Sequence, residues 1–488
     1  MRDTKRSGFR VAARALLELG GELISSDGIA LYELIKNAKD ARSRTGVTLR
    51  FMVCLPHTDA DDLRRRLSAP AKAGDIAALR GDFVRRLVPT APKAHLDSIH
   101  VQVAKAGDRA ELLTVLNRVD LQFNLIEVID TGDGMTMAEL STAFLTIGAP
   151  GKKRALDVAM QAASDGPPPY LGEKGIGRLS AMRLGRYLHV ETAAANDTRL
   201  NLLKIDWDRF DRLDAMVEDI QVEPTQGGPK PAPAYAGTKL TISGLKANWS
   251  RESLQRLVKD ELSRLTDPFS TRKERFRIEL LLNGERIAIP RMDRELLEMA
   301  HASIKGIYER TDDGVRLSYD MKCRDLGFGN PAEDKRRIFE RSDIRSLTAS
   351  RDDSIPLSAT TGVGPFQFEA YWYNRRLLKA VDGFGDLEKV RDVQRSWSGI
   401  MLFRDGFRVA PYGDHTDDWL GLDQESLSRK SYKMNKMQFV GRVNITRLGN
   451  PYLLDQTNRE GLKECPESRF FTELLRWVIQ DELGDFLD

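Results

Sequence analysis

The chain has 488 residues, of which 41% are hydrophobic and 30% are charged. This composition is typical of a globular protein with about two or three domains, and a net charge of +3 is too small to indicate nucleic-acid binding by itself. The three cysteines are widely separated and the six histidines are scattered, which excludes a disulfide framework and indicates no protein metal site. No apolar run approaches the roughly 18 residues that a membrane helix needs, so we expect a cytoplasmic protein.

The N-terminal segment begins with basic residues 1–6 and continues into an apolar stretch, an order that signal peptides share. Arg14, Glu18 and Glu22 interrupt that stretch. The sequence therefore predicts an amphipathic helix here.

Residues 28–42 carry apolar side chains at helical spacing, which predicts a helix. Glu33, Asn37 and Asp40 lie at positions i, i+4 and i+7 and therefore share one face of it. The amide oxygen of Asn37 can complete a Mg²⁺ shell that is otherwise phosphate and water. The carboxylate of Glu33 can orient and deprotonate a water aimed at a γ-phosphate. A solvated polar helix face is the alternative.

A strand is predicted at residues 47–53, and an insertion follows at about 55–123. This insertion is helical in pattern, rich in alanine and arginine, and includes Arg64, Arg65 and Arg66. A solvated helical excursion is the interpretation that we favour. Contact with a partner protein or with nucleic acid is the alternative.

Residues 126–129 read as a strand that ends in the sequence Asp-Thr-Gly-Asp-Gly at residues 130–134. The carboxylate of Asp130 at a strand end can accept a hydrogen bond from an exocyclic amine such as adenine N6. Gly132 and Gly134 let a ligand approach the backbone closely. An ordinary turn is the alternative; an EF-hand calcium loop fits poorly because no closing Glu follows.

A glycine-rich segment at residues 172–177 runs into a predicted helix at 179–184. Backbone N–H groups at a helix N-terminus favour phosphate. The candidate nucleotide-binding residues of this segment are Gly172, Lys174, Gly175, Ile176 and Gly177. The P-loop pattern is absent from the sequence, and a flexible hinge is the alternative.

Residues 237–242 begin with Gly-Thr and continue as a predicted strand, so the hydroxyl of Thr238 could support Asp130. A helix is predicted at 251–265. Beyond it, Asn283-Gly284 and Asp405-Gly406 each join two apolar runs, which predicts two hairpins in a separate α+β domain. Residues 419–423 are predicted to pack in its core, and a final amphipathic helix to pack on the same domain in preference to dimerising.

The four segments, in this order, resemble the GHKL superfamily (gyrase B, Hsp90, histidine kinases and MutL) over roughly residues 10–265. The first segment is closest to the Hsp90 form. The resemblance implies the α+β class, with a Bergerat-fold ATPase domain (an α/β sandwich with a mixed sheet) at 1–265. An S5-like, transducer-type α+β domain at 266–465 and a C-terminal helix at 466–488 would follow. Residues 1–25 would form a strap that crosses to a partner subunit.

The resemblance also implies roles for single residues. Glu33 would be the general base, Asn37 the Mg²⁺ ligand and Asp130 the adenine anchor, with Asp40, Gly132, Gly134 and Thr238 beside the nucleotide. The segment 172–177 would belong to an ATP lid. Lys152 lies where related ATPases begin that lid, although a basic surface cluster explains it equally well.

Residues 454–462 resemble the Hsp90 middle-domain loop that carries an arginine for the γ-phosphate. Carried over, Arg459 would neutralise charge during phosphoryl transfer. A surface salt bridge is the alternative.

The resemblance implies a Mg²⁺-dependent ATPase that closes as an ATP-dependent homodimer. It would signal to a protein partner or to DNA and would not contact a membrane. The chain is similar to stand-alone bacterial ATPases related to Hsp90 and MORC proteins, for which defence or DNA maintenance are candidate roles. An ATP sensor without turnover is the main alternative, and a protein kinase is a weaker one.

Overall fold

The computed structural model describes most of the chain. The described ranges are 10–24, 26–69, 76–146, 158, 179–212, 214–271, 275–292, 294–324, 333–340, 342–344, 346, 354–374, 391, 394–428, 434–456 and 460–488. The chain divides into two compact units. Unit 1 holds the described residues of Met1–Ala155, Pro169–Leu262 and Phe276–Ile289. Unit 2 holds those of Leu156–Pro168, Ser263–Arg275 and Pro290–Asp488.

Unit 1 contains a mixed sheet of eight strands. They are β1 (Val47–Met52), β2 (Leu125–Asp130), β3 (Gly185–Ala193), β4 (Arg199–Asp206), β5 (Thr225–Pro229), β6 (Gly237–Leu245), β7 (Ile278–Leu282) and β8 (Glu285–Ile287). Their order in the sheet is β5-β4-β3-β6-β2-β1-β7-β8. Only the β1–β7 pair is parallel within this described sheet. The predicted strands at 47–53, 126–129 and 239–242 are confirmed as β1, β2 and β6.

The helices of unit 1 include four that make up most of the insertion, α3 to α6. The helices are α1 (Ala13–Leu23), α2 (Asp27–Asp40), α3 (His57–Ser68), α4 (Ile76–Arg85), α5 (Lys93–Lys105), α6 (Arg109–Gln122), α7 (Met137–Glu139), α8 (Ser180–Leu184) and α9 (Arg251–Asp260). A π-helical turn, Leu140–Phe144, follows α7, and 3₁₀ turns lie at Trp207–Asp211 and Val217–Asp219. Across the described residues, no helix is both long and apolar enough to cross a lipid bilayer.

The insertion has a hydrophobic core of its own. Leu63, Phe83, Ile99 and Leu116, one from each of α3 to α6, are fully buried in it. Because these helices bury their apolar faces against one another, the insertion is a small packed layer. The sequence predicts a solvated helical excursion at this position, whereas the structure has a packed helical layer.

The arginine run of the insertion is engaged in ion pairs within the insertion itself. Arg64 pairs with Asp61 and Asp120, and Arg66 pairs with Asp82. Arg65, whose side chain is 78% exposed, pairs with Asp62 at 3.3 Å. With acidic partners at each of the three positions, the run is not a free basic patch for nucleic acid.

The hairpin around Asn283 and Gly284 lies in unit 1, where β7 pairs in parallel with β1. The expectation from the sequence that this hairpin belongs to the second domain is therefore wrong. The Asn-Gly turn specifies a hairpin through its positive φ angles. It carries no information on which sheet the hairpin joins.

Unit 2 contains a second mixed sheet, of seven strands in the order β11-β10-β9-β12-β15-β13-β14. They are β9 (Ala302–Thr311), β10 (Gly314–Cys323), β11 (Glu333–Glu340), β12 (Phe366–Trp372), β13 (Gly399–Arg404), β14 (Phe407–Arg408) and β15 (Phe439–Ile445). The predicted hairpin around Asp405 is confirmed as β13–β14. Both units are α+β with mixed sheets, as the sequence predicts.

The helices of unit 2 cover its core. They are α10 (Arg294–Glu298), α11 (Ser358–Gly362), α12 (Leu422–Ser428), α13 (Pro466–Arg476) and α14 (Leu483–Leu487), with a π-helical turn at Trp477–Glu482 and a 3₁₀ turn at Lys436–Gln438. Phe470, Phe471 and Leu475 of α13 are buried in the core of unit 2. Leu420 and Leu422 are buried in the same core. The predicted packing of the final helix and of residues 419–423 is therefore confirmed.

We predict that Phe83→Ala lowers the free energy of unfolding of unit 1 by about 3–5 kcal/mol, because it leaves a cavity in the insertion core. The neighbouring Val84, which is 37% exposed, provides the matched control Val84→Ala, with a change below about 1 kcal/mol. Chemical denaturation of both variants checks this. Equal losses in the two variants would show that the insertion lacks a core.

Candidate functional site

Helix α2 begins at a side-chain cap, since Ser26 Oγ accepts a hydrogen bond from the Ile29 N–H at 3.1 Å. Its apolar face is buried, with Leu31, Leu34, Ile35 and Ala38 each no more than 2% exposed. On the polar face, Glu33 and Asn37 are half-buried and Asp40 is buried. The helix therefore offers a carboxylate and a carboxamide, one turn apart, from a rigidly packed support.

Asp130 is the last residue of β2 and lies directly opposite Thr238 of β6. Its Oδ1 accepts a hydrogen bond from the Gly132 N–H at 2.8 Å. Burial raises the pKa of this carboxyl from 3.8 to about 6. The Asp133 carboxylate raises the same pKa, while hydrogen bonds from the backbone N–H groups of Gly132 and Thr238 lower it. The structure thus holds an acceptor out of water at a strand end.

The loop after Asp130 (residues 130–134, the Asp130 loop) depends on its glycines. A Cβ at Gly132 would collide with the carbonyl oxygen of Ala41, just beyond the end of α2. Gly134 has a φ of +68°, and a Cβ there would collide with the carbonyl oxygen of Ala193 at the end of β3. The two glycines therefore allow the loop to lie directly against α2 and β3.

Hydrogen bonds attach the Asp130 loop to the C-terminal end of α2. The Asp133 N–H donates to the Ala41 carbonyl at 2.8 Å, and Arg42 Nε donates to the Asp133 carboxylate at 2.7 Å. The Thr131 N–H donates to Ser43 Oγ at 2.9 Å. The first and second sequence motifs, about ninety residues apart, are thus brought together by these hydrogen bonds.

Thr192 of β3 is a site residue that the sequence analysis missed. Its fully buried hydroxyl accepts from the Met135 N–H at 2.9 Å and lies 3.0 Å from Thr238 Oγ1. The Thr238 hydroxyl therefore contacts Thr192, and only the Thr238 backbone N–H supports Asp130. The predicted hydroxyl support is thus replaced by a backbone one. Neither contact can be predicted from the sequence, because the pairing of β6 with β3 and with β2 brings these residues together.

Several predicted residues lie outside the described part of the chain. They are Lys152, Gly172, Lys174, Gly175, Ile176, Gly177 and Arg459. The described chain resumes at Leu179, and α8, which follows, packs against α2. An ion pair of 3.1 Å joins Arg183 to Asp27 in the first turn of α2. The helix that follows the glycine-rich segment in the sequence is therefore packed on the helix of Glu33.

Within the described ranges, no group of three His, Cys, Asp or Glu side chains could hold a metal ion.

We predict that burial of Asp130 makes stability depend on pH. The native pKa of about 6 exceeds the ordinary 3.8, so the contribution of this group is greatest below pH 4 and is lost as pH rises through 6. Between pH 4.5 and 7.5 the wild type should lose about 2 kcal/mol of unfolding free energy relative to Asp130→Asn. Urea unfolding of both proteins at the two pH values checks this, and parallel pH profiles would contradict it.

Comparison with protein families identifies the segment that contains this loop. Residues 84–231 match the family model described as histidine kinase-, DNA gyrase B-, and HSP90-like ATPase. The matched segment includes β2, the Asp130 loop and strands β3 to β5, while α2 lies before it and β6 after it. This segment of unit 1 is therefore similar to histidine kinase-, DNA gyrase B- and HSP90-like ATPases, which agrees with the resemblance of the four sequence segments.

Proposed function

We propose that this protein binds Mg·ATP in unit 1 and hydrolyses it. The observation that carries the proposal is the attachment of the Asp130 loop to the end of α2. This attachment fixes the buried carboxylate of Asp130, the proposed adenine acceptor, relative to the helix that bears Glu33 and Asn37. A nucleotide needs recognition at its base and chemistry at its terminal phosphate, and the two motifs supply one group for each task.

Adenine recognition is assigned to Asp130. Its carboxylate would accept a hydrogen bond from adenine N6, next to the backbone that Gly132 and Gly134 leave open. Because Thr192 ties Met135 to Thr238, the floor of this pocket is held by β3 and β6 and does not depend on the nucleotide. Such preorganisation lowers the cost of binding.

Hydrolysis is assigned to α2. Glu33 would accept a proton from the attacking water and orient it toward the γ-phosphate. Asn37 would hold Mg²⁺, which neutralises charge on the phosphates when bound. The proposed cations for the phosphates are Lys152, Lys174 and Arg459, which the resemblance to Hsp90-like proteins supports.

Unit 2 is proposed to act as a transducer-type domain. ATP would close a homodimer through the N-terminal regions, and hydrolysis would reopen it. A protein partner, or DNA, would sense the change, with bacterial defence or DNA maintenance as candidate roles. The support is the presence of a second α+β unit and of the Arg459 segment in one chain.

We predict that Glu33→Gln binds ATP but releases phosphate about 100-fold more slowly than the wild type, because the amide cannot accept the proton. Mg²⁺-dependent phosphate release and equilibrium ATP binding are measured side by side. The matched control is Glu223→Gln, at an exposed glutamate outside the site. It should keep wild-type turnover.

Two results would separate hydrolysis from simple binding. ATP binding without turnover in the wild type, in the presence and absence of Mg²⁺, would replace the hydrolytic proposal with an ATP sensor. Unchanged turnover in Glu33→Gln would remove Glu33 as the base.

We predict that a non-hydrolysable ATP analogue doubles the molar mass of the protein in light scattering, since nucleotide closure is proposed to pair two protomers. Asp130→Ala, which lacks the adenine acceptor, should stay at the monomer mass under the same conditions. A wild type that remains monomeric with saturating analogue would contradict the clamp while leaving ATP binding intact.

A further inference from the structure

The sheet of unit 2 has one face in the core and another that is solvent-exposed over strands β9, β10 and β11. Ile304, Leu317 and Tyr319 belong to the core face and are no more than 1% exposed. Alternate residues of a strand point to opposite faces, so the residues in between point to solvent. Among the solvent-facing residues, Ile307 is 42% exposed and Ile338 is 54% exposed. Apolar surface is therefore left uncovered by the part of the chain that the structure describes.

Strand register arranges nine residues of this surface, the open face, in three rows that cross the strands. From β9 to β11, the Lys305 row is Lys305, Asp320 and Arg336, the Ile307 row is Ile307, Ser318 and Ile338, and the Glu309 row is Glu309, Arg316 and Glu340. The Ile307 row lies between the other two and is uncharged. It continues onto β12 at Gln367, which lies opposite Ile307.

The two outer rows alternate in charge with opposite phase. The Lys305 row is basic, acidic and basic, and the Glu309 row is acidic, basic and acidic. Within one copy, Arg316 pairs with Glu340 at 2.9 Å, and Arg336 lies 3.8 Å from Asp320. Three basic and three acidic side chains sum to zero, which disfavours a nucleic acid or an anionic membrane as the occupant. A neutral strip between charged rims is typical of a protein–protein interface.

A second copy of the chain complements this pattern. Two identical sheets that stack face to face are related by a two-fold axis in the plane between them, and aligned strands leave two choices, along the rows or along the strands. An axis along the Ile307 row keeps each position along the row and exchanges the outer rows. The Lys305 row of one copy then faces the Glu309 row of the other. All three facing pairs have opposite charge.

The same charges exclude the axis along the strands. That axis, along β10, exchanges β9 with β11 and keeps each row facing itself. Lys305 would then face the partner's Arg336, and Glu309 would face the partner's Glu340. Like charges that meet across an interface oppose association. The pattern therefore selects one orientation, in which the strands of the two sheets run antiparallel.

We propose that the open face is a homodimer interface, in which two copies stack about an axis along the Ile307 row. Ile307 packs on the partner's Ile307 at the centre, and Lys305 binds the partner's Glu309 on both sides of the axis. This interface requires no nucleotide and is independent of the proposed ATPase activity. Its nine residues are fewer than the roughly 20–30 of a standard interface, so the dimer is weak.

Sedimentation velocity of the full chain without nucleotide tests the interface, from about 1 to about 300 µM protein. The dimer fraction of the wild type should rise over this range. Lys305→Glu places an acidic side chain against the partner's Glu309, and Glu309→Lys places a basic one against the partner's Lys305. Because symmetry repeats each clash, either substitution should raise the dissociation constant about tenfold or more.

An equimolar mixture of Lys305→Glu and Glu309→Lys is the decisive sample. In a mixed pair, both facing positions again hold one acidic and one basic side chain. The mixture should therefore associate about as well as the wild type, although neither variant does so alone. Variants that merely fail to fold would not recover on mixing.

The apolar row is tested by Ile307→Thr, which should also weaken association. The matched control is Val101→Thr, at a side chain that is 52% exposed on α5 of unit 1, and it should behave as the wild type. All of these variants should bind ATP as the wild type does.

A wild type that stays monomeric over the whole concentration range would overturn the proposal, as would a mixture that fails to associate. Tighter association of Lys305→Glu alone would overturn it too, since the axis along β10 predicts that result. Absence of ATP turnover together with association of the open face would contradict the proposed function alone.

Discussion

The arrangement of unit 1 depends on one buried carboxylate. Asp130 is removed from water, which raises its pKa to about 6, and it remains in place because backbone N–H groups of its own loop and of β6 bind it. Because it is buried, this carboxylate is stabilised by any ligand that donates a hydrogen bond to it. Around it, the glycines of the loop, the hydroxyl of Thr192 and the end of α2 all serve to fix its position. The end of β2 and the end of α2 therefore meet beside this carboxylate.

Local patterns predicted the elements of this site well. The helix around Glu33 follows from apolar periodicity, and β2 and β6 follow from short apolar runs bounded by glycine. The same reasoning fails where an assignment depends on a distant partner. The hairpin around Asn283 is a correct local prediction in the wrong unit, because pairing with β1 decides its place. Thr192 escaped notice for the same reason, since strand register alone brings it opposite Thr238.

The arginine run of the insertion shows that a basic sequence does not by itself reveal whether its charges form ion pairs. Arg64, Arg65 and Arg66 form the densest basic run that the sequence analysis singled out, yet aspartates of the same helical layer contact all three. Charge that is available to a ligand is therefore a property of the fold.

The position of the insertion has a consequence for how this domain can vary. The insertion leaves from β1 and returns into β2, and Met52 and Leu125, at the two junctions, lie opposite each other in antiparallel register. Asn124 fastens the two junction ends, since its side chain binds the Cys54 N–H and the Leu55 carbonyl at 2.8 Å each. Entry and exit are thus neighbouring points on the sheet. At such a junction one inserted module can be replaced by another, in evolution or by design, while strands β1 and β2 keep their alignment.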